Sequence, residues 1–315
     1  MSVFTEIQRP QLEAFLLAFD LGQLHSFRGI AEGTENSNFF VSLDSGEYVL
    51  TLVERGEQAD LPFTVLLLDR LHAAGMPVPF AIPDKRGQAL LQLAGKPALL
   101  QPRLSGKHVL QANPQHCAEV GRALARMHLA TRERLIEHAS DRGLAWMLTQ
   151  GAVLASQVTG PSLALLNDAL KDVEALQQAW ARLPQANLHA DLFRDNVLFD
   201  GTHLSGIIDF YNACSGPMLY DVAIALSDWC SAADGALDNR RVRAMLAAYA
   251  TLRPFTQPEE LHWPALLRIA CLRFWLSRLL AARVADQPGV QIKAPEEFEQ
   301  RLLQLKHPPN LPLAL

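Results

Sequence analysis

Positive charge is in short supply in this chain. Its 28 Lys and Arg stand against 33 Asp and Glu, for a formal net charge of −5, and no basic block interrupts the 315 residues. A polyanionic partner needs a dense cationic face, so nucleic acid is not an expected ligand. Cysteine is sparse as well. Cys117, Cys214, Cys230 and Cys271 are scattered without C-x-x-C spacing, which reads as reduced, mostly buried thiols of a cytoplasmic protein. The ten histidines form no H-x-x-x-H or H-E-x-x-H array, so zinc is not expected. Met1 to Glu6 lacks the charged and apolar regions of a signal peptide. No apolar run is long enough to cross a bilayer, since the best stretch, Ala265 to Ala285, carries Arg268, Arg273, Arg278 and Arg283. Internal repeats and low-complexity linkers are also missing. A hydrophobic content of 49% with a mean hydropathy of +0.06 describes an ordinary folded protein without a disordered bulk.

What is present is concentrated between His189 and Phe210. His189-Ala190-Asp191-Leu192-Phe193-Arg194-Asp195-Asn196 reads H-x-D-x-x-x-x-N. Val197-Leu198-Phe199 follows as a short apolar strand, Asp200-Gly201 is a hairpin turn, and Leu204 to Ile208 returns toward Asp209-Phe210. Asn196 opens the outgoing strand and Asp209 closes the returning one, so both oxygens arrive at one end of the hairpin, where they form a credible Mg2+ pocket. Phosphoryl transfer by a kinase-type loop requires these groups: one carboxylate for the proton of the attacking hydroxyl, and an amide oxygen and a second carboxylate for the metal. Taken singly, each residue has a plainer reading, His189 and Asp191 as satisfied loop groups, Asn196 as a turn residue and Asp209 as a cap. It is their joint register around the hairpin that favours chemistry.

Around this centre, the first hundred residues look strand-rich. Strands are expected over Phe27 to Ala31, through Phe39, Val41 and Leu43, over Tyr48 to Val53, and around Ala89 to Leu93 and Ala98 to Gln101, with a helix from Leu61 to His72. After Pro102 the pattern turns helical. Helices are expected from Asn113-Pro114, over Leu163 to Leu183, and near Asp221 to Ser231, Asp238 to Leu252 and Glu259 to Ala285. The expectation is an α+β chain: a small antiparallel-sheet lobe over residues 1–101, a hinge, and a larger helical lobe over 102–315 that carries the chemistry.

With the motif placed late in such an architecture, the chain resembles the aminoglycoside phosphotransferase-like branch of the two-lobed protein-kinase-like fold. Within that branch it is similar to the bacterial homoserine kinase family. The likeness rests on Gly33 to Phe40, Tyr48 to Leu52, His189 to Phe199 and Leu272 to Leu279. It implies an ATP- and Mg2+-dependent enzyme acting on L-homoserine. Asp191 would be the base, His189 a support of the loop, Asn196 and Asp209 the metal ligands, and Asp221 a carboxylate that holds the loop's backbone amides. The loop from Gly33 to Asn38, with the Ser37 hydroxyl and Asn38, would cover the phosphates, and Gln101 to Leu104 would offer backbone to the adenine. One departure stands out. Kinases of this fold usually carry Lys or Arg on the third strand, where this chain has Thr51, so Arg28 and Arg55 become the candidate substitutes.

An amino-acid alcohol is a zwitterion and needs a cation for its carboxylate and an acidic or carbonyl group for its ammonium. Arg194 and then Arg273 and Arg278 are the expected carboxylate partners, with Tyr211, Asn212, Asp228 and Trp229 supplying other contacts. The four arginines of the late helix step about 140° apart, so at least two should be solvated. A basic late helix argues against a polycationic aminoglycoside. Three alternatives stay open: another small alcohol such as choline, a sugar or hydroxylysine; a nucleotide-binding pseudokinase, because the strand lysine is missing; and a metal-dependent phosphoesterase, which lacks the extra histidines and carboxylates of a two-metal site.

Overall fold

The computed structural model describes residues 4–30, 36–54, 60–283, 293–306 and 313. Gly33 and Arg55 lie outside these. The chain divides into two compact units, one of the described residues up to Ser105 and one of those from Gly106, where the sequence suggested a break after residue 101.

The first unit begins with α1 (Arg9–Leu16), which hydrophobic periodicity did not signal because it is only eight residues long. Pro10 sits in its first turn, and the Gln8 N–H donates to the Gln11 side chain at 2.8 Å, closing a capping box. Then come β1 (Leu24–Gly29), β2 (Ser37–Leu43), β3 (Gly46–Leu52), α2 (Leu61–Ala73), β4 (Leu91–Leu93) and β5 (Lys96–Pro102). The strands form one antiparallel sheet in the order β1-β2-β3-β5-β4. Alternation sends Phe39, Val41, Leu50, Leu52 and Leu100 to one face, where Leu12, Phe15 and Leu16 of α1 pack on them. Cross-strand register places Arg28, Asn38, Phe40, Val49, Thr51, Leu99 and Gln101 on the other.

The second unit is mostly helical. Its elements are α3 (Pro114–Thr131), α4 (Leu144–Ala155), α5 (Gly160–Trp180), β6 (Gln185–Leu188), β7 (Val197–Asp200), β8 (His203–Ile207), β9 (Cys214–Pro217), α6 (Met218–Trp229), α7 (Asn239–Leu252), α8 (Gln257–Arg283) and α9 (Glu296–Gln304). β6 pairs with β9 and β7 with β8. Asn113 caps α3, its side chain accepting from the His116 N–H at 3.0 Å. Helices α4 and α9 were not anticipated. All four cysteines are buried and free, and no described helix is long and apolar enough to cross a membrane.

Two helices depart from the one-sided pattern of a surface helix. Every residue of α6 is buried, including Asp221 and Asp228. On α8, Arg268 and Arg273 are buried and Arg278 is mostly covered, so Arg283 alone of the four is exposed. The expected solvation of two arginines therefore fails, for a physical reason. Each guanidinium meets a different neighbour: Arg268 pairs with Asp168 and Asp172 of α5, Arg273 with the loop after β6, and Arg278 with Glu297 of α9.

Candidate active site

Strand β6 delivers the chain to His189, whose ring is fully buried. The His189 Nε2–H donates to the Ile208 carbonyl at 3.0 Å, and its Nδ1 accepts the Asp191 N–H at 3.2 Å. These partners fix one neutral tautomer, and burial lowers the ring's pKa further. His189 thus ties the start of the loop to the end of β8. It is a tie within the fold with no open face.

Asp221 sits beneath the same loop with no exposed surface. Its two oxygens accept the His189 N–H at 2.8 Å and the Ala190 N–H at 2.7 Å, and His128 Nε2 lies 3.2 Å away. His128 is in turn fixed by the Tyr249 hydroxyl at 2.8 Å. Burial alone would raise the Asp221 carboxyl, but His128 and the His189 amide outweigh it and hold the pKa below the ordinary carboxylate value. Ala190 adopts φ +59° and Asp209 φ +65°, left-handed backbone that residues with a side chain rarely take. Arg273 pins the first of these by donating from Nη1 to the Ala190 carbonyl.

The β7–β8 hairpin brings Asn196 and Asp209 to one end, and the Ile208 N–H donates to the Asn196 carbonyl at 3.0 Å. The Asn196 Nδ2 donates to the Asp191 backbone carbonyl at 2.8 Å, which fixes the orientation of the amide. Among the described residues no group of three or more His, Cys, Asp and Glu could cage a metal. One amide oxygen and one carboxylate suit a hard cation that takes its remaining ligands from phosphate and water, as Mg2+ does.

Asp191 is half-buried, and its Oδ2 accepts the Asn212 Nδ2–H at 3.1 Å. Burial pushes its carboxyl up to about 7; Arg273 opposes that rise, Asp209 and Asp195 add to it, and Lys293 opposes it more weakly. Asn212 is itself clamped. Its Oδ1 accepts from Arg142 Nη1 and Arg273 Nη2, both at 3.2 Å, and guanidinium groups can only donate, so Nδ2 must face Asp191. The sequence suggested Asn212 only as an acceptor contact. Arg142, seventy positions earlier, carried no signal.

Most of the expected acceptor contacts point inward. Arg194 grips Asp228 through Nε at 3.0 Å and Nη2 at 3.1 Å, and donates to the Leu110 carbonyl at 3.0 Å. Asp228 also accepts the Arg194 N–H at 2.9 Å. Trp229 is fully buried and donates from Nε1 to the Leu192 carbonyl at 2.9 Å. Arg273, 2% exposed, serves Ala190 and Asn212 as described. Asp228, Trp229 and Arg273 therefore hold the loop from behind, Asp228 by its grip on Arg194 within the loop. Because α6 has no solvated side, its polar groups must find internal partners. Tyr211, 39% exposed, is the member of that set that faces solvent.

The nucleotide set divides by sheet face. Ser37 is buried on the α1 side, where its hydroxyl donates to Glu54 at 2.5 Å and accepts the Phe4 and Thr5 amides. It is not available to phosphate, because a one-residue step along a strand reverses the face. Asn38, Thr51 and Gln101 share the opposite face. The Thr51 hydroxyl donates to Asn38 Oδ1 at 2.7 Å, and the Gln101 amide donates to the Pro79 carbonyl at 2.5 Å. Leu104 is half-buried just beyond β5. Arg28 is exposed on the Asn38 side, its guanidinium 5.2 Å from the centre of the Phe40 ring.

Residues 26–255 match the family described as the phosphotransferase enzyme family. A homoserine kinase of Pseudomonas aeruginosa (strain UCBPP-PA14) is 61% identical over the full length of both chains. A homoserine kinase of Methylobacillus flagellatus is 44% identical, over 89% of this chain and 87% of that one. Among solved structures, the amicoumacin kinase hAmiN in complex with AMP-PNP and Ca2+ shares the fold with a TM-score of 0.69 at 16% identity, covering 96% of this chain and 92% of that one.

Proposed function

The chain belongs to the phosphotransferase enzyme family and is a small-molecule kinase, and on that premise we propose that it transfers the terminal phosphoryl group of ATP to the side-chain hydroxyl of L-homoserine. The full-length likeness to homoserine kinases supports the acceptor. The observation that carries the chemistry is Asp191, a carboxylate with a pKa near neutrality, held by an amide whose orientation two guanidiniums dictate. A base works best when its pKa lies near the working pH, so Asp191 accepts the hydroxyl proton as the oxygen attacks. His189, Asp221 and Arg273 keep its backbone in place. Asn196 and Asp209 hold Mg2+, which when bound offsets the negative charge of the phosphates. Arg28, Asn38 and Thr51 are the nucleotide contacts of the sheet unit, and the backbone near Leu104 takes the base. The product feeds threonine synthesis in the cytoplasm.

The test is coupled ADP release with ATP and Mg2+ across L-homoserine, serine, threonine, choline, hydroxylysine and an aminoglycoside. Selective turnover of homoserine is expected. Preference for choline or hydroxylysine would discard the acceptor and keep the mechanism, and ATP binding without any turnover would favour a pseudokinase. In the same assay Asn212→Ala should lower kcat by about 100-fold with KM for ATP little changed, as expected when a base loses its orientation. An unaltered kcat would remove Asn212 from the site.

A further inference from the structure

Arg273 and Lys293 both oppose the rise at Asp191, and they differ in access. Arg273 is buried and engaged with the loop, whereas Lys293 is at the surface. The Lys293 Nζ lies 2.5 Å from Asp195 Oδ2, with the two side chains 58% and 54% exposed. Asp195 stands four residues beyond Asp191, in the tight turn Arg194–Asn196. The segment bearing Lys293 is fastened on its C-terminal side. Arg278 donates to the Ala294 carbonyl at 2.8 Å and pairs with Glu297 at 2.5 Å. Phe298 stacks on Phe274 at 5.1 Å and on Phe193 of the loop at 5.8 Å, with the Arg278 and Arg301 guanidiniums each 4.5 Å from its ring centre. A packed anchor on one side and the turn that follows Asp191 on the other hold this ion pair.

We propose that the Asp195–Lys293 pair is the receptor for the acceptor's charged head: the pair opens, Lys293 takes the α-carboxylate, Asp195 takes the α-ammonium, and the side-chain hydroxyl is left pointing toward Asp191. This rests on the homoserine reading above. An exposed ion pair is worth little, so exchanging it for two charge-assisted pairs with a zwitterion is favourable. The closed pair is also neutral overall. It attracts neither a free phosphate nor a polycation, and it selects a ligand that carries groups of both signs on one carbon.

Steady-state kinetics of the full chain, with ATP and Mg2+, would compare three acceptors: L-homoserine, 3-amino-1-propanol, which lacks the carboxylate, and 4-hydroxybutyrate, which lacks the ammonium. Lys293→Met should raise KM for homoserine about 10- to 100-fold with a smaller change in kcat, and lower the preference for homoserine over 3-amino-1-propanol at least about tenfold. Asp195→Asn should lower the preference over 4-hydroxybutyrate in the same way, and Lys293→Arg should recover most of the KM lost in Lys293→Met. Both side chains are on the surface, so melting temperatures of the variants should match the parent's. Turnover of homoserine with KM within twofold of the parent in both Lys293→Met and Asp195→Asn would overturn the receptor and leave the homoserine reading standing. No turnover of homoserine by the parent chain would overturn both.

Discussion

Asp191→Asn should abolish turnover and make the metal-free protein more stable at pH 8. The carboxyl has a pKa near 7 in the folded chain against 3.8 when unconstrained. Below the lower value both states are protonated and nothing is gained or lost. Between the two, the folded chain keeps a proton that the unfolded chain has released, so stability falls as pH rises, and above 7 the whole penalty is present. The amide removes the charge and still accepts the Asn212 N–H. Burial is only partial, so solvent screens part of the penalty, and the gain at pH 8 should be about 1–3 kcal/mol. Denaturant unfolding of both proteins at pH 5, 6, 7 and 8 checks this. Curves that keep a constant separation across that range would mean the carboxyl is not buried as described. Turnover should fall by at least about 1,000-fold, the scale of a lost general base. Near-parental turnover would end the assignment of Asp191 as the base.

Asp221→Ala has the opposite sign and a larger size. Removing this carboxylate strands the His189 and Ala190 amides and the His128 ring where none has solvent-exposed surface to offer in exchange. The cost should be about 3–5 kcal/mol, as for breaking other buried charged networks. Because the folded pKa is depressed, the contribution of Asp221 is complete above the ordinary carboxylate value and lost as pH falls through the folded one. Asp221→Asn should rescue little, since one of its two amide positions must present donors to donors. Unfolding in urea measures both variants at pH 7. A cost below about 1 kcal/mol for Asp221→Ala would show that the loop is held by other means.

How much of this was legible beforehand depended on how far apart the cooperating residues lie. The H-x-D-x-x-x-x-N loop, its hairpin and Asp209 fall within a short window, and turn chemistry with strand alternation was enough to place them. The same holds for the alternation of Phe39, Val41 and Leu43. Arg273, Asp228 and Trp229 misled because a polar residue on a helix is read as solvated, and nothing local reveals that α6 and α8 are enclosed on several sides. Ser37 and Asn38 are neighbours with opposite fates, decided by a register that only the folded sheet displays. The Arg142–Asn212–Arg273 clamp draws on three distant segments, and no periodicity joins them.

Arg268, Arg273 and Arg278 also constrain what α8 can become. They point to three different neighbours, so together they set the helix's rotation about its own axis. Inserting a single residue ahead of them would turn all three guanidiniums by about 100° at once. An aspartate pair on α5, the catalytic loop and α9 would lose their partners together. Most side chains of α8 can be exchanged for others of similar volume, but its phase cannot drift. The helix works as a keyed shaft, and in chains built on this plan length changes should collect in the loops on either side of it.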